Sequence, residues 1–443
     1  MNNFEFSQHF AEHLEIGLLY LMICLLINLS VLRRYIYSAF DPLFFYSVLA
    51  AAGGSVVLYL YHFDLIRPFY FWSYVATQIA FTSGFLLIRP PYAAKLPKPT
   101  LQPIYSDPIR TLYPLSVLLY IAVQLIVYMV VGLPILLESR LETFASGGGF
   151  GLLSRVIFVT SQISLVIATY RLLLLKIKPV GRAVDLLVVL FCIVVATISG
   201  SKGAMLSIIF TMSLSLFYAR RFCDTNGAEI RLRKFFFILI GLSLPVAFGT
   251  IYLQAGMDNL LELASVVAMR FVLAGDIFYM VYPNDVLQFL HDGNGLLALF
   301  YSPLGSIRLV PREELPINLG LQAFWYHYDT SLLSGPNARH NVFGLHYFGA
   351  FFSVIFSLIL GLLFSFSRNW CYKHLSPSPG GMITYVLIVN CALFIEQDVS
   401  GQAIEYFFSV ALIYPVLYLM SSIINIHSRQ HAQRSDSHVS LKP

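Results

Sequence analysis

Eleven apolar stretches, each near the length of a bilayer-crossing helix, recur along this 443-residue chain. A crossing takes about 20 mostly apolar residues. The stretches lie near residues 16–32, 43–61, 70–88, 111–132, 150–170, 184–199, 204–219, 235–252, 347–366, 381–396 and 404–424. The sixth and seventh are short and meet at the polar break Ser199-Gly200-Ser201-Lys202-Gly203. Only 12% of residues are charged, about half the share in a soluble domain. Such a chain cannot clothe a water-facing surface. The expectation is an all-α polytopic membrane protein of about eleven transmembrane helices, with ten to twelve admissible. Its hydrophobicity argues against disorder, and a formal +5 spread thinly over the chain argues against a nucleic-acid binder.

Orientation follows from the basic residues in short loops. With the N-terminus outside, twenty of the 28 lysines and arginines fall on cytoplasmic segments, including Arg33, Arg34, Arg171, Lys176, Arg220, Arg221, Arg231, Arg233 and Arg368. The other eight, Arg67, Arg140, Arg155, Lys202, Arg270, Arg308, Arg312 and Arg339, fall outside or in spans opening outward. A solvated or snorkelling side chain explains any single one of these. Lys202, set between two apolar runs, reads as functional. Residues Met1 to Glu15 hold no basic n-region, so no cleavable signal is expected. The five cysteines form no CxxC pair and suggest neither a metal nor a disulfide framework.

The chain reads as one membrane domain, residues 1–443, with one large external loop over 253–346 and a disordered cytoplasmic tail over 427–443. The loop carries eight acidic residues against four arginines. Its first part, from Asn259 to Pro283, has apolar residues at helical spacing interrupted by Glu262, Arg270 and Asp276, which suggests amphipathic interfacial helices. The remainder is rich in aromatics and turn formers, as in Trp325-Tyr326-His327-Tyr328, and suggests a folded cap over a cavity. The acid pairs Glu313-Glu314 and Glu396/Asp398 read as a solvated loop and a helix end, and Glu405 as a polar contact to the outside. No metal site is expected.

The sharpest local pattern is Asn337-Ala338-Arg339-His340-Asn341, running through Gly344 and Gly349 into the ninth stretch. It combines an anion ligand, a base that titrates near neutrality, and an amide. An interfacial turn bonded to its own backbone is the plainer reading. The segment resembles the His-Asn segment that closes the large periplasmic loop of bacterial O-antigen ligases and the related polymerases. Ser199-Gly200-Ser201-Lys202-Gly203-Ala204-Met205-Leu206 is similar to a Ser/Gly-Ser-Arg/Lys-Gly turn of O-antigen polymerases. Arg270, near Gly275 and Asp276, looks like the arginine those polymerases carry early in the loop. Ligases usually place another His just before the His-Asn pair, where this chain has Ala338; that departure favours a polymerase.

The resemblance implies a GT-C-like glycosyltransferase in the bacterial inner membrane, acting at the periplasmic face without a cofactor. Its donor and acceptor would be undecaprenyl-diphosphate-linked oligosaccharides, with membrane lipids around it and a chain-length regulator as a partner. The departing lipid diphosphate needs preorganised cations. On that reading Arg270, Lys202, Arg308 and Arg312 contact the diphosphate, while Arg339 and His340 are catalytic. Two rivals remain: a ligase, which differs only in its acceptor, and a flippase of lipid-linked sugars. Transporters more often show matched halves, and the large loop here has no counterpart in the first half.

Overall fold

A computed structural model of the chain describes residues 1–90, 107–134, 150–199, 202–225, 227–238, 241, 273–330 and 333–439. The described residues form helices and connecting turns. In chain order these include α1 (Asn3–Glu12), α2 (Leu14–Leu32), α3 (Pro42–His62), α4 (Pro68–Leu86), α5 (Asp107–Val131), α6 (Phe150–Leu174), α7 (Pro179–Ile198) and α8 (Lys202–Ala219). After them come α9 (Asp276–Val281), α10 (Gly295–Leu299), α11 (Tyr301–Ser306), α12 (Leu319–His327), α13 (His340–Ser365), α14 (Cys371–His374), α15 (Pro379–Ala392) and α16 (Ile404–Val439).

Local chemistry sets several helix starts. In α1 the Asn2 side chain accepts from the Glu5 amide while the Glu5 carboxylate accepts from the Asn2 amide, each at 2.9 Å. This reciprocal cap satisfies two amides that the first turn leaves over. At α3 the Asp41 carboxylate accepts from the Leu43 amide at 2.9 Å, and Pro42 follows as the first helical residue, where its missing N–H costs nothing.

Among the described residues seven stretches are long and apolar enough to cross a membrane: Leu14–Leu32, Pro42–His62, Arg110–Val131, Gly151–Leu174, Pro179–Ile198, His340–His374 and Val399–His427. The expected stretches at 70–88, 204–219 and 381–396 are helical but shorter or less apolar, as α4, α8 and α15. Most of the stretch at 235–252 lies outside the described residues. The Leu14–Leu32 window is only 11% buried, and Leu19, Leu26 and Ile27 are each more than half exposed. So much exposed aliphatic surface on one helix is a liability in water and suits hydrocarbon. The chain is a multi-pass α-helical membrane protein.

The ninth stretch departs from its expected form. Rather than one rod over 347–366, α13 is a hairpin that folds back at Gly349. That residue takes φ +73° and ψ 175°, a region essentially restricted to glycine. The short arm, residues 340–348, then lies antiparallel against the long arm from Ala350 onward. His340 bonds Ser357 at 2.9 Å, and the Phe343 and Phe356 rings sit 5.8 Å apart. At 1.5 Å per residue, the short arm's first residue lies about 10 Å along the long arm from the turn. Gly349→Ala is expected to cost about 1–3 kcal/mol through this backbone strain, read as a lower unfolding midpoint in detergent. An unchanged midpoint would mean that the turn tolerates a side chain by some other path.

Two compact units divide the chain. One comprises Met1–Lys95, Ile230–Lys373 and Cys391–Glu405; the other comprises Leu96–Glu229, His374–Asn390 and Tyr406–Pro443. The first unit's core gathers Phe6 and Phe10 of α1, Tyr59 of α3, most of α9, and Val342 and Leu345 of the short arm. Phe6 stacks on Tyr279 at 4.1 Å, so α1, which precedes the first span, packs against the loop element α9. In the second unit polar side chains meet between helices. Asn390 and Thr211 both donate to the Gln162 carbonyl, at 2.7 and 2.6 Å. Arg171 and Tyr113 both engage Asp185. Residues 427–439, expected to be disordered, continue α16 to Val439.

Candidate functional site

Arg339 stands immediately before the short arm, and its guanidinium is 2% exposed. Nη1 donates to the Glu396 carboxylate at 2.5 Å. Nε and Nη2 donate to the Ala274 carbonyl at 3.1 and 2.8 Å, and Nη2 also reaches the Leu49 carbonyl at 2.9 Å. One cation therefore ties α3, the turn before α9, the short arm and the turn after α15. The room for it comes from the run Ala50-Ala51-Ala52-Gly53-Gly54 in α3. A Cβ on Gly53 would sit 2.6 Å from the guanidinium carbon, so a side chain there would force the guanidinium to shift. As placed, Arg339 is an internal clamp.

His340 is fully buried. Its backbone amide donates to the Glu396 carbonyl at 3.2 Å, its Nδ1 pairs with the Ser357 hydroxyl, and its ring stacks on Phe81 at 4.7 Å. Asn341 donates to the Thr77 hydroxyl at 2.9 Å. Three buried polar atoms of this cluster have no hydrogen-bond partner: His340 Nε2, Asn341 Oδ1 and Glu396 Oε2. Unpaired buried polar atoms are few in folded proteins, and these three belong to adjacent or directly bonded residues of one cluster.

Carboxylates complete the cluster. Asp276 opens α9 and is half-buried; one of its oxygens accepts from the Ile277 amide at 3.0 Å. Burial raises its carboxyl to about 7, against the pull of Arg339. Burial also raises Glu396, again with Arg339 opposing, and lifts Asp398 to about 6. A half-buried acid that titrates at neutrality beside a fixed cation suits proton transfer.

The structure places Arg339 and His340 side by side in one buried cluster. Arg270 lies outside the described residues. Lys202 opens α8 in the second unit. Arg308 is exposed at a left-handed turn, φ +55°, and Arg312 begins a 3-10 turn. Of the other arginines expected outside, Arg67 pairs with Asp285 at 2.5 Å, and Arg155 sits over the Phe408 ring at 5.4 Å. Neither a protein-family model, nor a curated protein, nor a solved structure matches the chain. The arrangement must therefore be read from its own chemistry. The residues that sequence reasoning passed over are Asp276 and Glu396. Their signal was present: a carboxylate beside a glycine within an apolar run, and an acid at the end of a span.

Proposed function

We propose that the protein is a glycosyltransferase that polymerises oligosaccharide repeat units carried on undecaprenyl diphosphate, forming O-antigen or a related surface polysaccharide. On this reading it is a GT-C-like enzyme of about eleven spans in a bacterial inner membrane, with its N-terminus and its site facing the periplasm. The observation that carries the reading is Asp276, a half-buried carboxyl raised to about 7 next to the Arg339–Glu396 clamp, inside the segment that resembles polymerases. Asp276 takes the proton from the acceptor sugar hydroxyl as that oxygen attacks the donor's anomeric carbon. The lipid diphosphate leaves and takes the electron pair of the broken C–O bond. Arg339 and His340 hold the turn carrying Asp276 rather than touching the sugar. Arg270, Lys202, Arg308 and Arg312 remain the candidates for the diphosphate. No cofactor is invoked, and a chain-length regulator is the expected protein partner.

A second reading has its own support. Helix α13 is broken at Gly349 and π-helical turns lie at Phe366–Trp370 and Val399–Ala403, and transporters build their sites from interrupted helices. A flippase of lipid-linked sugars would want the same cations. Purified protein in vesicles with lipid-linked repeat units separates the two. A ladder of multiples on a gel supports polymerisation. Unextended but translocated substrate moves the protein to the transporters, and a single transfer onto lipid core sugar makes it a ligase.

A further inference from the structure

A surface helix in water turns its large apolar side chains inward. Helices α10 and α11 of the first unit do the reverse. Their inward positions are small or polar. Gly295 packs against the end of the short arm, where a Cβ would sit 2.6 Å from the Phe348 ring. Ala298 is buried, and the Ser302 hydroxyl donates to Glu405. The outward positions are Leu296, Phe300, Leu304 and Ile307. The Phe300 amide donates to the Leu296 carbonyl at 3.1 Å, and the Leu304 amide to the Phe300 carbonyl at 3.0 Å. These side chains therefore follow one another at single-turn intervals along one side. Leu296 is 62% exposed and Ile307 50%, with Phe300 close behind.

The place of this stripe in the fold says what covers it. α10 meets Tyr347 and Phe348 beside the Gly349 turn, where the long arm begins. α11 meets the first residues of the spanning stretch Val399–His427 through Ser302 and Glu405. Phe351 and Phe352, next along the long arm, are largely exposed, so surface suited to hydrocarbon starts at this level. Charge agrees: between Asp292 and Glu313 the sequence holds two arginines, Arg308 and Arg312, and no acid. Arg308 closes α11 in the left-handed region, φ +55°. There the Leu309 amide donates to the Leu304 carbonyl at 3.0 Å and the Arg308 amide to the Gly305 carbonyl at 3.3 Å. Glycine is the usual residue at such a helix end, so the exposed arginine is held at a cost in backbone strain. We infer that residues 295–309 form an interfacial anchor, with Leu296, Phe300 and Ile307 among the acyl chains of the adjacent leaflet and Arg308 at its phospholipid phosphates. The partner is the bilayer's own phospholipid. The anchor goes beyond the polymerase reading and does not rest on it, because it needs only the membrane class.

The test places the full-length protein in vesicles of phosphatidylethanolamine and phosphatidylglycerol. No polyprenyl lipid is added, so substrate phosphate cannot stand in for headgroups. Leu296→Cys, Phe300→Cys and Ile307→Cys are each labelled with the environment-sensitive dye NBD. Four of the five native cysteines are buried, and unsubstituted protein labelled in parallel gives the background from Cys24. Phospholipids brominated near the top of the acyl chain should quench the dye at these positions, and aqueous iodide should not. Quenching by iodide but not by brominated lipid refutes the anchor. Protection from both quenchers means that a protein surface covers the stripe, and refutes it too. Arg308→Gly suits the left-handed turn and so keeps the fold. It should shift the Ile307→Cys label from lipid toward water about fivefold, the worth of one basic residue at an anionic surface. An unchanged ratio overturns the headgroup contact.

Discussion

Arg339→Ala lowers the stability of the detergent-solubilised protein by about 3–5 kcal/mol, the cost of stripping one partner from a buried ion pair. The expectation follows from its surroundings: the guanidinium is 2% exposed, paired to Glu396 and bonded to the Ala274 and Leu49 carbonyls. Removing it strands a buried carboxylate and two carbonyls. Any activity disappears with the fold, so its loss alone does not make Arg339 catalytic. The double replacement Arg339→Met with Glu396→Leu separates the roles, because an apolar pair of similar volume often restores stability. A thermal melt of the two single variants and the double variant forms the cycle. Recovery of the melt together with transfer activity makes the pair a positioning device. Recovery of the melt without activity returns Arg339 to direct contact with substrate. An unaffected single variant would show that the clamp is not formed.

On the proposed glycosyltransferase reading, Asp276→Asn is expected to reduce the rate of sugar transfer by about 10²–10⁴, the usual contribution of a general base, with little change in fold. Asparagine keeps an oxygen to accept from the Ile277 amide. The pH profile gives the sharper readout. Asp276 must be ionised to take a proton, so the wild-type rate climbs as pH rises through about 7, and the variant's residual rate lacks that limb. Stability moves the other way. The folded carboxyl titrates near 7 and the unfolded one near 4, so the folded state binds more protons between those values. Stability therefore falls as pH rises through that window, and Asp276→Asn should remove this fall. A variant with wild-type rate and an intact pH limb would take Asp276 out of the reaction.

Run length and hydropathy made the membrane class and most of the helices legible before any coordinates, because twenty apolar residues admit few other fates. The Arg339-His340-Asn341 segment also stood out, since polar groups at the head of an apolar run are conspicuous. Its arrangement did not. Gly349 sits among Tyr347, Phe348, Phe351 and Phe352, and hydropathy cannot tell a rod from a hairpin whose two arms are both apolar. The Arg339–Glu396 bond joins residues 57 apart, and no local period announces such a pairing. Asp276 was visible only as one of eight acids in a long loop and as a neighbour of Arg270. Its standing came from burial beside a cation, a property of the packed molecule. The helix α1 was overlooked because the capping pair Asn2 and Glu5 lies outside every apolar stretch.

The hairpin and its clamp bear on the order in which the protein assembles at the ribosome. Arg339 leaves the peptidyl-transferase centre 57 residues ahead of Glu396, roughly 3–11 s at ordinary rates of synthesis. During that interval an arginine moved to the centre of the hydrocarbon would cost about 2.5–3.5 kcal/mol even on the milder insertion scales. The residues before Gly349 are therefore expected to wait at the bilayer surface while the long arm inserts. Docking is expected only after the turn carrying Glu396 has emerged and pairs with the charge. A nascent chain stalled before residue 396 should leave the short arm accessible to water-soluble labels, and one stalled well beyond it should not.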